Sequence, residues 1–214
     1  MYYIGLDIQT RRDCSYAVLD NHATLIDSGW FPSTGDENVE ILKKWSKSGR
    51  IYVGIDAPRM PLITKRKWYW NRKKRQWEKR EAQKGYGRHC EIVISAHRIA
   101  NPQWTPIKGK VPEWMNLGFK IYSTLEGFAK IYEVFPSASY SLLQGVKDVR
   151  INADFSACKS GPKDMLDAWV AAATVREFVK GKGTEVGGGD GLGTIILPRP
   201  LPEPVIKEVL EWPE

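Results

Sequence analysis

The chain has 214 residues and a formal net charge of +7: room for one generous domain with its own core, and a positive excess compatible with a polyanionic partner without establishing one. Cys14, Cys90 and Cys158 are odd in number and lack metal-type spacing, which argues against a disulfide framework and for a reducing compartment. No apolar run approaches the roughly 18 residues of a membrane span, and Met1 to Asp7 lacks the pattern of a secretory signal, so the expectation is a cytoplasmic protein with no membrane partner.

Tyr2 to Ile8 is an apolar run that reads as a buried strand. Ser15 to Leu19 and Thr24 to Phe31 follow at hairpin spacing around the turn residues Asp20-Asn21-His22, predicting an antiparallel meander. Glu37 to Lys47 has Val39, Leu42 and Trp45 at helical spacing behind an acidic first turn. Ile51 to Asp56 is a fourth strand, stopped by Pro58. A helix between two strands implies a right-handed crossover, so the fourth strand is expected beside and parallel to the first.

These two strands echo each other, ending Gly5-Leu6-Asp7 and Gly54-Ile55-Asp56. Alternate residues share a face, so each Asp lies on the face of a Gly that leaves room for a close-packed helix. Read singly, Asp7 opens a turn and Asp56 caps a local motif; read together, they place two carboxylates at the strand ends where parallel sheets gather functional groups.

Thr64 to Arg88 breaks the pattern with a mixture of cations and aromatics, among them Arg66, Lys67, Trp68, Trp70, Arg72, Lys73, Lys74 and Arg75. Cations neutralise phosphates and aromatics stack on bases; the bland alternative is a solvated arm whose tryptophans pack back onto the domain. The alternation is compatible with a two-stranded excursion turning near Asn71 to Lys74 or with an amphipathic helix.

Glu91 to Arg98 and Glu113 to Ala129 read as helices, the second with Trp114, Leu117, Ile121, Leu125 and Phe128 on one stripe. Lys130 to Phe135 is a fifth strand in which Glu133 either faces solvent from an edge or lies near the strand-end aspartates. Ser137 to Leu143 is a short helix; Gln144 to Pro162 is mostly loop, with Arg150 and Lys159 as possible basic contacts. The helix Lys163 to Ala173 carries Asp164 and Asp167 on one face of an otherwise alanine-rich body. Buried carboxylates need partners; Asp164, nearer the start, is either a ligand or part of the first-turn electrostatics. Gly181 to Gly193 lacks the ending of a phosphate loop and reads as a flexible connection to a last strand, Thr194 to Leu197, before a Pro-rich wrap.

This element order is that of the RNase H-like fold: an α/β domain with a five-stranded mixed sheet in the order 3-2-1-4-5, flanked by helices. The domain is placed at 1–198, with an insertion at about 64–84 after the fourth strand and a tail at 199–214. In that architecture carboxylates from the first strand, the fourth strand and the last helix converge on divalent metals, which prefer oxygen ligands.

Gly5-Leu6-Asp7, Ile55-Asp56-Ala57-Pro58, Arg88-His89-Cys90-Glu91, Glu133-Val134-Phe135-Pro136, Asp164-x-x-Asp167-Ala168 and Gly193-Thr194-Ile195-Ile196-Leu197-Pro198 occur in this order. Together they resemble the domain of unknown function 429 family, predicted nucleases of RNase H-like fold, and the Asp pair is similar to the resolvase branch of that fold. The resemblance implies a Mg²⁺- or Mn²⁺-dependent nuclease acting on DNA or RNA, with Asp7, Asp56, Asp164 and Asp167 as metal ligands and Glu133 as a supporting acid. Arg88, Lys159 and Lys163 would join the insertion in contacting nucleic acid. Two departures stand out: Ile8-Gln9 replaces a Gly that such families often place after the first Asp, and the basic insertion is long. The competing expectations are an inactive nucleic-acid-binding module and, last, an actin-like or sugar-kinase ATPase, which Asp7-Ile8-Gln9-Thr10 loosely resembles. That superfamily needs a second lobe and a second phosphate loop.

Overall fold

The structure, a computed structural model, describes residues 1–34, 40–80, 85–144 and 162–213. Tyr2–Asp7 (β1), Cys14–Leu19 (β2) and Leu25–Phe31 (β3) form the antiparallel meander. Glu40–Ser48 (α1) leads to Ile51–Asp56 (β4), which runs parallel to β1 with Asp7 opposite Asp56. Next come the strands Trp68–Asn71 (β5) and Gln76–Lys79 (β6), the helices His89–Ala96 (α2) and Glu113–Leu125 (α3), and Lys130–Glu133 (β7), parallel to β4. The five-stranded sheet has the order β3-β2-β1-β4-β7. That is the order expected, β7 being the fifth strand of this sheet. Pro136–Leu143 (α4), Pro162–Val179 (α5), the antiparallel pair Thr184–Gly187 (β8) and Thr194–Leu197 (β9), and Lys207–Leu210 (α6) complete the chain.

Strand alternation divides the core into two layers. Ile4, Leu6, Val53 and Ile55 face Leu117, Ile121 and Leu125 of α3. Tyr3 and Tyr52 face the other way, toward Ala171, Ala172 and Val175 of α5. Gly5 and Gly54 belong to this second face. A Cβ on Gly5 would overlap the Ala168 carbonyl and the Ala172 N–H, and one on Gly54 would press on Val175 and the Ala171 carbonyl. The sheet's own backbone is therefore the surface on which α5 lies, and the alanines of α5 permit the same approach from the helix side.

The insertion is a β-hairpin, with Trp68 opposite Lys79 and Asn71 opposite Gln76. Its turn is held by Asn71, whose Oδ1 accepts the N–H groups of Lys73 and Lys74 at 3.0 and 3.1 Å, with Arg75 left-handed at φ +50°. The hairpin packs back through Trp70 and Trp77 onto Cys90, Val93 and Ile94 of α2, together with Ile206, Val209 and Trp212. Trp77 Nε1 donates to the carbonyls of Glu208 and Glu211 at 3.0 and 2.8 Å. The segment after 198, expected as an extended wrap, is thus part of a second core.

The glycine-rich stretch, expected as a flexible connection, carries β8 and docks α2. Gly187, at φ +93°, sits where a Cβ would meet the backbone of Cys90. Asp190 Oδ2 accepts the His89 N–H at 2.7 Å, closing the first turn of α2. The helix carrying the Asp pair also runs beyond Ala173, to Val179. No helix among the described residues is long and apolar enough to cross a membrane, and Cys14 and Cys90 are both buried free thiols.

Candidate carboxylate site

Asp7 and Asp56 end neighbouring parallel strands in direct register, about 4.8 Å apart along the sheet. Each lies two residues beyond its glycine, so both project on the α5 side. Helix α5 runs antiparallel to β1. At one end Ser15, opposite Asp7, donates to the Asp164 carbonyl at 2.7 Å; at the other, Arg176 reaches the Asn21 carbonyl at 3.2 Å. Two strand residues advance about 6.6 Å, close to the 5.4 Å of a helical turn. Stepping from Gly5 and Gly54 to the aspartates therefore moves along α5 from Ala168 and Ala171 to Asp164 and Asp167. The glycines set the helix height, and that height fixes which helix residues meet the strand ends.

The four acids differ in their partners. Asp164 Oδ2 accepts from Gln9 Nε2 at 2.6 Å and is ion-paired with Arg12. Asp167 is buried; its Oδ1 accepts from the Tyr140 hydroxyl at 2.8 Å, and its Oδ2 pairs with Lys163 Nζ. Among the described residues no donor meets the carboxylate of Asp7 or Asp56. Burial, followed by the charges of Asp167 and Asp164, pushes Asp7 up to about 7. Burial and the charges of Asp7 and Asp167 push Asp56 well above the ordinary carboxylate range. Lys163 opposes both shifts, and its own pKa is raised against burial by its bond to Asp167 and the charges of Asp167, Asp7 and Asp56. One ammonium thus faces three carboxylates.

An all-carboxylate donor set suits a hard divalent cation in chemistry and in charge. Among the described residues, however, no three His, Cys, Asp or Glu side chains are gathered into a ready metal-holding group. The hydrogen bonds account for part of this: both oxygens of Asp167 and one of Asp164 are held by internal partners. The aspartates most in need of positive charge are Asp7 and Asp56, and Lys163 sits beside them.

Glu133 adds its charge to the rise of Asp56 and lines a cleft with it, but its own oxygens are held by other partners. It lies opposite Ile55 in β7, on the α3 side of the sheet. Arg88 Nη1 donates to Glu133 Oε2 at 2.8 Å, Arg88 Nη2 pairs with Oε1, and the Arg59 N–H reaches Oε2 at 2.9 Å. Arg88 Nε donates to Glu91 Oε1 at 3.0 Å, while Glu91 Oε2 accepts the N–H groups of Arg88 and Thr105. Burial opposes the charge on Arg88, but Glu133, Cys90 and Glu91 together outweigh it, so the guanidinium holds its proton more firmly than usual. Arg88 is 1% exposed. The expected nucleic-acid contact at Arg88 and supporting acid at Glu133 are instead the two halves of a buried ion pair that ties β7 to the start of α2.

The other expected basic contacts divide by exposure. Lys67, Lys73, Lys74 and Arg75 are exposed, with Lys74 paired to Glu78 and Arg75 to Glu208. Trp68 and Trp70 are half-buried, Trp70 against α2. Arg66 is half-buried, its Nε donating to the Tyr86 carbonyl at 2.7 Å, and Arg72, although exposed, donates through Nη2 to the Ser95 carbonyl and hydroxyl at 2.6 Å. Lys163 belongs to the carboxylate site. Lys159 and Arg150 lie outside the described residues. Gln9, Arg12 and Tyr140 complete the site without having been singled out as partners of the aspartates. Gln9 carried a signal, as a departure after the first-strand Asp, whereas Tyr140 reaches Asp167 only through the packing of α4 on α5. No family model matches this chain, and no curated protein or solved structure matches it.

Proposed function

We propose that this protein is a divalent-metal-dependent phosphodiesterase acting on DNA or RNA, with Asp7, Asp56 and Asp167 holding the metal. The observation that carries the reading is the pair of carboxylates on adjacent strands with no donor among the described residues, facing a third on a helix that two glycines bring against the sheet. The sheet order and the position of α5 support an RNase H-like fold, in keeping with the sequence resemblance. Bound there, Mg²⁺ or Mn²⁺ supplies an activated water and stabilisation of the leaving oxygen. The protein's own groups do the positioning. Tyr140 fixes the orientation of Asp167, and Gln9 and Arg12 hold Asp164 against the loop after β1, making it a support to the site. Lys163 supplies positive charge to the cluster before the ion does.

That same lysine favours the second reading, a nucleic-acid-binding module without catalysis, because an internal ammonium already offsets part of the cluster's charge. Labelled single-stranded, duplex and branched substrates, incubated with Mg²⁺ or Mn²⁺, separate the two. The expected outcome is cleavage by the wild type that is lost in Asp7→Asn, Asp56→Asn and Asp167→Asn. Equal cleavage by wild type and variants removes the carboxylates from the mechanism. Binding by the wild type with no cleavage under either metal selects the binding module.

A further inference from the structure

A second concave site lies on the domain away from the carboxylates, between the inserted hairpin and α2. It is a cavity of about 240 Å³ whose walls include Arg66, Arg72, Arg80, Tyr69, Trp70 and Trp104. No carboxylate lines it among the described residues, although 27% of the whole chain is charged and acids are plentiful elsewhere. None of the three guanidinium groups is ion-paired among the described residues; the acid nearest in effect to Arg80, Glu78, is bonded to Asn71 and Lys74. Arg66 donates through Nε and Nη1 to the carbonyls of Tyr86 and Trp68. Arg72 uses Nη2 on Ser95. Arg80 lies over the Tyr69 ring at 4.5 Å, and Arg66 lies between the Tyr69 ring at 4.8 Å and the Trp104 ring at 5.5 Å. Glu91, the acid whose charge is felt by Arg66, is committed to Arg88 and Thr105.

Guanidinium groups gathered without an ion-pair partner among the described residues suit an anion with several oxygen acceptors, and Arg suits phosphate in particular. The aromatic walls add what an acidic peptide would not use, flat faces on which a base stacks. The volume falls below the roughly 300–1,000 Å³ of whole small-molecule sites, which fits one residue of a polymer better than a free ligand. We propose that this cavity is a subsite for one unpaired nucleotide of a single-stranded nucleic acid, its base against the wall made by Trp104 and the Arg66 guanidinium and its phosphate on Arg72 and Arg80. The chain also links the two sites: Trp104 walls this cavity, and the adjoining Pro102 and Gln103 line the cleft that reaches Asp56.

The proposal rests on nucleic acid being the substrate, but not on the metal, so it is tested by binding alone. The full-length Asp7→Asn chain is titrated without divalent metal against a labelled single-stranded oligodeoxynucleotide and its duplex, over 50–200 mM salt. The expected result is at least about tenfold preference for the single strand. Trp104→Ala weakens single-strand binding by about 5- to 150-fold, the range for one lost stack, with the salt slope unchanged. Arg80→Gln weakens binding and reduces the salt slope by about 1. Arg80 makes no side-chain hydrogen bond to the fold among the described residues, so this variant tests the site even if Trp104→Ala unfolds. Equal affinity for strand and duplex, or binding unchanged by Arg80→Gln, overturns the proposal. A free mononucleotide binding as tightly as the strand, or polyglutamate competing as well as the strand, also overturns it, in favour of a free-nucleotide site or a general polyanion surface. Intact binding alongside absent metal-dependent cleavage by the wild type removes the phosphodiesterase reading and leaves this one standing.

Discussion

Two groups of charge lie on opposite faces of the same sheet, near the carboxyl ends of its parallel strands. On the α3 side, Arg88, Glu91 and Glu133 are buried, and every one of their carboxylate oxygens has a donor. On the α5 side, Asp7 and Asp56 have none among the described residues, and Asp167 shares Lys163 with both of them. The first group is closed: its charges are met by side chains and backbone N–H groups, and it holds β7, α2 and the 105 loop in place. The second is open, with more negative charge than the described residues offset. Sequence motifs of acids look alike in both places; whether the fold supplies their counter-charge separates a structural pair from a candidate reaction site.

The contrast predicts opposite responses to removing a charge. Glu133→Gln leaves Arg88 buried with an incomplete partner, and loss of one member of such a pair costs about 3–5 kcal/mol. Denaturant unfolding should show a loss of that size; a change below about 1 kcal/mol would mean that the closed group is not holding the fold. Asp7→Asn should do the reverse in metal-free protein. Its folded pKa of about 7 lies above the ordinary value of 3.8, so the folded chain binds this proton more tightly than the unfolded chain. Stability from this group is then fullest below pH 3.8 and is lost as pH rises through 7. In EDTA, Asp7→Asn should match the wild type near pH 4 and exceed it at pH 8 by up to about 4 kcal/mol. Equal stability at pH 8 would show that the open group is not under charge strain. The smallest expected effect is at Lys163. Lys163→Gln removes the ammonium that a divalent ion must compete with or tolerate, and Mn²⁺ affinity should rise several-fold, with stability changed by less than about 1 kcal/mol at this exposed position. Weaker Mn²⁺ binding would make Lys163 a support of the site, not a competitor.

Much of the open site was legible in the sequence, because it is written in local spacing. Gly-x-Asp on two strands joined by a crossover helix predicts two carboxylates side by side, and Asp164-x-x-Asp167 predicts two acids on one helix face. Their separate fates were not legible: Gln9 and Arg12 claim Asp164, while Tyr140 claims Asp167 from 27 residues away. The partners of Glu133 were not legible because its side of the sheet depends on the register of β7 against β4, which no spacing within Lys130 to Phe135 fixes. Its partner Arg88 is 45 residues distant, and a basic residue beside a basic insertion reads as surface. The hairpin at Trp68 to Lys79 was open between strand and helix because its aromatics serve both an inward face and an outward one. β8 went unread because four residues, Thr184–Gly187, within a glycine-rich run carry too little alternation to mark a strand.

The central claim, that Asp7 and Asp56 form an unneutralised pair built to take a divalent cation, is tested most directly by calorimetric titration of Mn²⁺ into the metal-free chain at pH 7.5, beside Asp56→Asn. Saturable binding by the wild type that is abolished in Asp56→Asn is the predicted result. No binding by the wild type, or binding that survives Asp56→Asn undiminished, would contradict it.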